Sequence, residues 1–287
     1  MVKPDLVSHL VSGLRIAAIR LPSDVARALA QAQAREDTPR AQSELATMLA
    51  AVDVACAGSV PLCQDTGIPT FFVEAGERSP HLSLLREAIP AAVGRATREV
   101  PLRPNSVDPF SGRNPGDNSG RGLPPIDWQP VPGDDVRIHL RLKGGGSDNV
   151  SALCMLPPNA GLAGVKDAVL DHVVASAGNP CPPTVVAVGI GGGSALCLRL
   201  AERTLWRAVG ERHPDARAAA LEEELLALVN ETGLGPMGLG GRTTALDVHV
   251  EYAFRHPASL PVGILLQCWA ARRATVRVDR RGKVEVV

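Results

Sequence analysis

Residues 184–206 read "TVVAVGIGGGSALCLRLAERTLW", and this stretch decides the fold class. Its valine-rich opening, Thr184–Ile190, reads as a strand buried on both faces. Three glycines then turn the chain, and the segment after them reads as a helix with Cys197 on its apolar face. A further helical pattern follows in "ARAAALEEELLALVNETG", residues 216–233, so the region predicts a parallel α/β element. The run "GIGGGS" imitates a phosphate-binding loop. Its G-x-G-x-x-G spacing is incomplete, however, and no acidic residue about 20 positions on suits a ribose. Tight packing of a helix on a strand explains the glycines better. The competing use is a nucleotide-binding module in which Gly189–Ser194 faces an anion.

Working outward, "VRIHLRL" (136–142) alternates as a strand should, and "GLAGVKDAVLDHVVASAGNP" (161–180) reads as a helix closed by Gly-Asn. The segments "TTALDVHVEYAF", "LPVGILLQCWAA" and "RATVRVDRRGKVEVV" read as strands, the last as a hairpin turning at Arg280–Gly282. Toward the N-terminus, Ser23 to about Ala57 is alanine-rich with helical spacing. Ser79-Pro80 opens a second helical pattern through residues 81–100, which Pro90 is expected to bend. Between these regions, 101–135 is dense in Pro, Gly, Asn and Asp and reads as a long ordered loop. The expected fold is mixed α/β in a single domain, 1–287: helical over about 1–100, loop-rich over 101–135, α/β over 136–287.

Composition narrows the function. Thirty basic residues balance thirty acidic ones, and aromatics make up 3% of the chain. There is no basic stripe for phosphate backbones and little on which bases could stack, so nucleic acid is a poor partner. No apolar run approaches the roughly 18 residues of a membrane helix, and the first residues lack a secretory pattern, so the expectation is a cytoplasmic protein. Six cysteines in a reducing compartment read as thiols or metal ligands.

Cys63 in "PLCQDTG", Cys181 in "NPCPP" and Cys268 in "LLQCWAARR" stand at junctions between regular elements, whereas Cys56, Cys154 and Cys197 read as core thiols. There is no Cys-x-x-Cys pair to signal a zinc finger or a ferredoxin. Three polar residues and a glycine follow Cys63, which leaves two readings, an incidental thiol or a ligand.

In order along the chain, "PLCQDTG", "KGGGSDN", "NPCPP", "GIGGGS", "GLGPMGLGG" and "HPASLPVGILLQCWAARR" resemble the motifs of the iron-sulfur hydro-lyases, the class I fumarate hydratases and the related L-tartrate dehydratases. The resemblance runs from about Ala50 to Arg273. It implies a 4Fe-4S cluster on Cys63, Cys181 and Cys268 in a cleft, with one iron left open to a small dicarboxylate. By motif position it also implies Asp65 and His256 as catalytic groups and Gln64, Arg103 and Gly145 as substrate-binding groups, with Gly145 offering backbone donors. Asp148 and Met237 depart from the usual motifs, where glutamate and glutamine are common.

The chemistry suits that reading: adding water to a dicarboxylate alkene needs a Lewis acid, a proton carrier and groups that hold two carboxylates. The resemblance further implies an alpha chain that needs a separate beta subunit to complete its site, in a homo- or hetero-oligomer. Fumarate hydration to malate is the leading expectation, with L-tartrate dehydration or mesaconate hydration as alternatives. A non-catalytic metal-binding scaffold is the competitor from another class. Each residue also has a plain competing role. Asp65 can simply cap its turn, His256 can be a surface loop residue, Arg103 can be a solvated charge whose place Arg113 or Arg121 takes, and His249 can be structural.

Overall fold

In the computed structural model, which describes residues 4–100 and 102–287, the chain runs through eight helices and nine strands in the described residues. In order these are α1 (Pro4–Ile19), α2 (Ser23–Arg35), α3 (Pro39–Gly58), β1 (Ile68–Gly76), α4 (Leu82–Glu99), β2 (Ile126–Val131), β3 (Val136–Lys143), the short α5 (Gly145–Asp148), β4 (Ala152–Leu156), α6 (Gly161–Ser176), β5 (Thr184–Ile190), α7 (Ser194–Thr204), α8 (Ala216–Glu231), β6 (Ala245–Tyr252), β7 (Leu260–Gln267), β8 (Arg273–Val278) and β9 (Val284–Val286). They form two units: Met1–Pro22 with Ala51–Gly145 and Ala271–Val287, and Ser23–Ala50 with Gly146–Ala270. The fold is mixed α/β, as expected. No described helix is long and apolar enough to cross a membrane.

The first unit is built on a five-stranded sheet in the order β2-β1-β3-β8-β9, with β1 and β2 parallel and the other pairs antiparallel. β1 alternates half-buried and buried positions, so one face packs inward. Leu10 and Leu14 of α1, Leu85 and Ile89 of α4, and Phe71, Ile138, Leu140 and Val276 of the sheet share one core. A side chain at Gly13 would come within 2.9 Å of Leu140 Cδ2 and 3.0 Å of Val276 Cγ2, so a larger residue there would have to push these side chains aside.

The second unit carries a four-stranded sheet, β4-β7-β5-β6, in which β5 and β6 are parallel and β7 is antiparallel to both β5 and β4. β7 is buried along its whole length because helices cover both faces. Val165 and Val169 of α6 and Leu225 and Val229 of α8 pack with Val186, Val188, Val248 and Ile264 on one side. Ala201 and Leu205 pack with Val185, Ala187 and Leu265 on the other. The glycine run is explained by packing: a Cβ at Gly189 would stand 1.9 Å from the Cys197 carbonyl oxygen, so α7 lies directly on the backbone of β5. Gly191, Gly192 and Gly193 all have positive φ, which turns the chain sharply from strand to helix.

Three expectations need correction. The single helical pattern over 23–57 breaks at residues 36–38, because Pro39 cannot continue a preceding helix and Thr38 Oγ1 accepts the Ala41 N–H to start a new one. The helical region of about 1–100 contains β1, whose period-two burial outweighs the helical character around it. The loop-rich 101–135 contains β2, paired in parallel with β1. Residues 1–3 of the expected helical part, and Pro101 at the start of the expected loop, lie outside the described residues.

Candidate active site

The motif "PLCQDTG" leaves α3 as a bend and enters β1, with the Leu62 N–H donating to the Ala18 carbonyl at 2.9 Å. Cys63 and Asp65 are half-buried and Gln64 is exposed. Gly67 must be glycine: its φ is +76°, and a Cβ would stand 2.6 Å from the Lys143 carbonyl oxygen.

Asp65 is held from three directions within the first unit. Its Oδ1 accepts the Gly67 N–H at 2.8 Å and an Asn105 Nδ2 hydrogen at 3.1 Å, and its Oδ2 accepts the Gly145 N–H at 2.8 Å. A carboxylate oxygen offers about two lone-pair directions. Oδ1 is therefore fully used and Oδ2 keeps one open, which makes Oδ2 the atom at which Asp65 can exchange a proton. Gly145, expected to offer its N–H to a substrate, donates it to Asp65 instead.

The long loop returns along this motif. Thr66, buried, accepts the Arg103 N–H on Oγ1 at 2.9 Å, and the Arg103 carbonyl accepts from Asn118 Nδ2 at 2.9 Å. The backbone of Arg103 is thus fixed beside Asp65 while its side chain is exposed. Asn118, with φ +59°, also accepts the Asn105 N–H at 2.7 Å and donates to Thr97 Oγ1 at 3.0 Å. Sequence reasoning missed Asn105 and Asn118, which read only as turn formers in a loop. Their role depends on partners 40 and 21 residues away.

In the second unit, the Trp269 N–H donates to the Cys181 carbonyl at 3.2 Å, so the segments carrying Cys181 and Cys268 lie side by side where β5 begins and β7 ends. Cys181 has φ +54°, uncommon for a residue with a Cβ, and is held by its N–H to the Gly178 carbonyl at 3.0 Å. Gln267 Nε2 donates to Cys268 Sγ at 3.3 Å. His256 is not brought to this pair. It is exposed, its Nδ1 accepting the Ala258 N–H, and it precedes β7 whereas Cys268 follows it. An eight-residue strand, about 23 Å long at ~3.3 Å per residue, lies between them.

The remaining cysteines differ among themselves. Cys197 is fully buried, and burial pushes its thiol up from its ordinary range. Cys154 is half-buried, and Cys56 is exposed at the end of α3 rather than in a core.

The donor set suits an iron-sulfur cluster. Cys63, Cys181 and Cys268 are half-buried thiols in loops, outside any disulfide, soft ligands of the kind iron clusters take, and an amide N–H already points at one sulfur. The described residues contain no assembled group of three or more metal-binding side chains. Cys63 belongs to the first unit and the other two to the second.

Residues 8–277 match the family model described as fumarate hydratase (Fumerase). A chain of Methanocaldococcus jannaschii, provisionally named L(+)-tartrate dehydratase subunit alpha, is 44% identical over 284 residues, 98% of this chain and 99% of that relative. The L(+)-tartrate dehydratase subunit alpha of Escherichia coli strain UTI89 is 38% identical over 260 residues, 90% of this chain and 86% of its own length. The protein of the same name from strain K12 is 37% identical over the same span.

Proposed function

The chain belongs to the fumarate hydratase (Fumerase) family of hydro-lyases, and from that premise we propose that it is the alpha subunit of an enzyme that dehydrates L(+)-tartrate. The likeness to tartrate dehydratase alpha subunits over nearly the whole chain supports this substrate. Fumarate hydration is the second reading, supported by the family model. The observation that carries the chemistry is the Asp65 carboxylate, locked by three donors with one lone pair of Oδ2 left open.

A hydro-lyase takes a proton from one carbon and hydroxide from its neighbour, or returns them. In this proposal Asp65 Oδ2 carries the proton, and the fixed carboxylate plane removes the cost of orienting it during the reaction. Arg103, with its backbone pinned and its guanidinium exposed, clamps one substrate carboxylate, and Gln64 donates to the substrate from its exposed amide. When bound, a 4Fe-4S cluster held by only the three cysteines Cys63, Cys181 and Cys268 would supply a Lewis-acidic iron without a protein ligand, open to a carboxylate and a hydroxyl. His256, beyond the far end of β7, has no part in the site proposed for a single chain. A separate beta subunit supplies the remaining groups and excludes water, a reading supported by the subunit names of the relatives.

The test is to produce the chain with its partner subunit without oxygen, measure iron and sulfide, and assay both L(+)-tartrate and fumarate. Turnover that requires both chains is expected. An iron-loaded two-chain complex that acts on neither dicarboxylate would sink the proposal.

A further inference from the structure

The second unit treats the two edges of its sheet differently. At the β6 edge, the outward backbone groups of Val248 and Val250 are all taken by side chains. The Val248 N–H donates to Asp247 Oδ1 at 2.8 Å and its carbonyl accepts from Arg212 Nη1 at 3.2 Å. The Val250 N–H donates to Glu222 Oε1 at 2.8 Å and its carbonyl accepts from Arg207 Nη2 at 3.1 Å. These side chains stop a further strand from pairing there. The other edge strand is β4.

The register fixes which β4 groups point outward. Met155 faces Pro261 of β7, and the Pro261 carbonyl accepts the Gly191 N–H from the β5 side at 2.9 Å. Antiparallel partners alternate between bonded and unbonded pairs, so the N–H and C=O of Met155 point away from β7, as do those of Leu153 two residues earlier. No group among the described residues bonds to them on that open side. Their side chains are 56% and 42% exposed. The usual devices that blunt an edge are missing: no charged residue lies between Asp148 and Lys166, and proline comes only after the strand, at Pro157 and Pro158.

We propose that β4 is a self-pairing edge, along which a second copy of this chain sets its own β4 antiparallel and joins the two four-stranded sheets into one. The strand reads Ala152-Leu153-Cys154-Met155-Leu156, nearly a palindrome of apolar side chains about Cys154. A two-fold axis at Cys154 sets Leu153 of each copy against Met155 of the other. Both residues point their backbone outward, so these become bonded pairs and the open N–H and C=O groups satisfy one another. Cys154, whose backbone bonds point to β7, meets its own counterpart in an unbonded pair, with Cα atoms about 4.5 Å apart. The exposed Leu153 and Met155 side chains cover each other across the new ladder. Pairing about a two-fold uses up both open edges, so the assembly closes at two copies. A symmetric strand without charge suits its own copy; a strand of another chain would gain nothing from that symmetry.

The experiment uses the full chain coproduced with its partner subunit without oxygen, and counts copies of the chain per particle by native mass spectrometry and sedimentation. Wild type is expected to hold two copies. A short bismaleimide, which adds to thiols without an oxidant, is expected to link Cys154 to Cys154 between copies, and Cys154→Ser to abolish that link. Leu153→Lys with Met155→Lys sets like charges opposite one another in both pairs. It is expected to leave one copy per particle, with the dissociation constant of the pair raised by on the order of 10²-fold or more, and the fold kept because both positions are exposed. Leu153→Lys with Met155→Glu sets opposite charges in the same two pairs and is expected to restore the two-copy particle.

A wild type with one copy per particle at tens of micromolar overturns the proposal, as does the absence of a Cys154–Cys154 link. So does a folded Leu153→Lys, Met155→Lys variant that still holds two copies, or one that behaves no differently from Leu153→Lys, Met155→Glu, since only the register about Cys154 separates them. A bismaleimide link from Cys154 to the partner subunit in place of a second copy also overturns it, because β4 would then pair with a foreign strand. None of these outcomes bears on the hydro-lyase reading, which the dicarboxylate assays test.

Discussion

The two units bury charge in opposite ways. In the second, Glu222 is fully buried, but its Oε1 accepts from Arg207 Nη2 at 2.5 Å and the Val250 N–H at 2.8 Å, and its Oε2 accepts the His213 N–H at 2.9 Å. Asp247, 1% exposed, accepts from Arg212, the Gly210 N–H and the Val248 N–H, and pairs with the buried His249 Nε2 at 3.1 Å. Arg207 leaves its Nη1 without a partner, yet its charge is matched by Glu222. In the first unit, Arg272 is just as buried, and two of its nitrogens have no partner. A closed network of matched charges welds helix α8, strand β6 and the loop between α7 and α8 into one piece. The Arg272 guanidinium in the first unit has no such network. Burial alone does not separate the two cases; hydrogen-bond accounting does.

The largest effect that tests this contrast is chemical. Asp65→Asn is expected to lower turnover by about 10²–10⁴, the usual loss on removing a proton carrier, while the melting temperature and iron content change little. Assay of the anaerobic complex checks this, and full activity in the variant would remove Asp65 from the mechanism. Next in size is Glu222→Ala, which strands Arg207, leaves Arg212 to Asp247 alone, and is expected to cost about 3–5 kcal/mol by denaturant unfolding. A loss below about 1 kcal/mol would show that the network is not what holds that unit together. Arg272→Met should have the opposite sign, a gain of on the order of 1–4 kcal/mol in the substrate-free protein. Two buried-charge variants moving stability in opposite directions is the sharpest form of the comparison.

Acid supplies a smaller test. Burial pushes the Asp247 carboxyl up, but hydrogen bonds from His249 and Arg212 and the Gly210 N–H outweigh it and hold the group below its ordinary range. A carboxyl with a folded-state pKa below its unfolded value of about 3.9 contributes stability above that value, and the contribution is lost as pH falls through the folded-state pKa. Asp247→Asn should therefore flatten the acid limb of stability against pH below about 4, measured as melting temperature across the range. Smallest is Asn105→Ala, which removes one of three donors to Asp65 and should cost roughly tenfold in kcat, the worth of one hydrogen bond to a charged group, with stability nearly unchanged.

The sequence by itself determined the class of the fold and the family. The valine run of β5, the glycine turn and the helix after it are local patterns, and local patterns are legible because periodicity and turn chemistry act over a few residues. The motif residues Cys63, Asp65, Cys181 and Cys268 were legible for the same reason, as contiguous strings. Only the tertiary structure decided which groups meet. Asn105 reaches Asp65 across 40 positions, Gly145 gives Asp65 the N–H expected for a substrate, and His256 is set apart from Cys268 by the length of β7. The value of Arg272 likewise depends on neighbours that no stretch around it names. Charge and hydrogen-bond matching are settled between segments distant in the chain, and a strand's rise alone can carry two residues of one motif to opposite ends of a sheet.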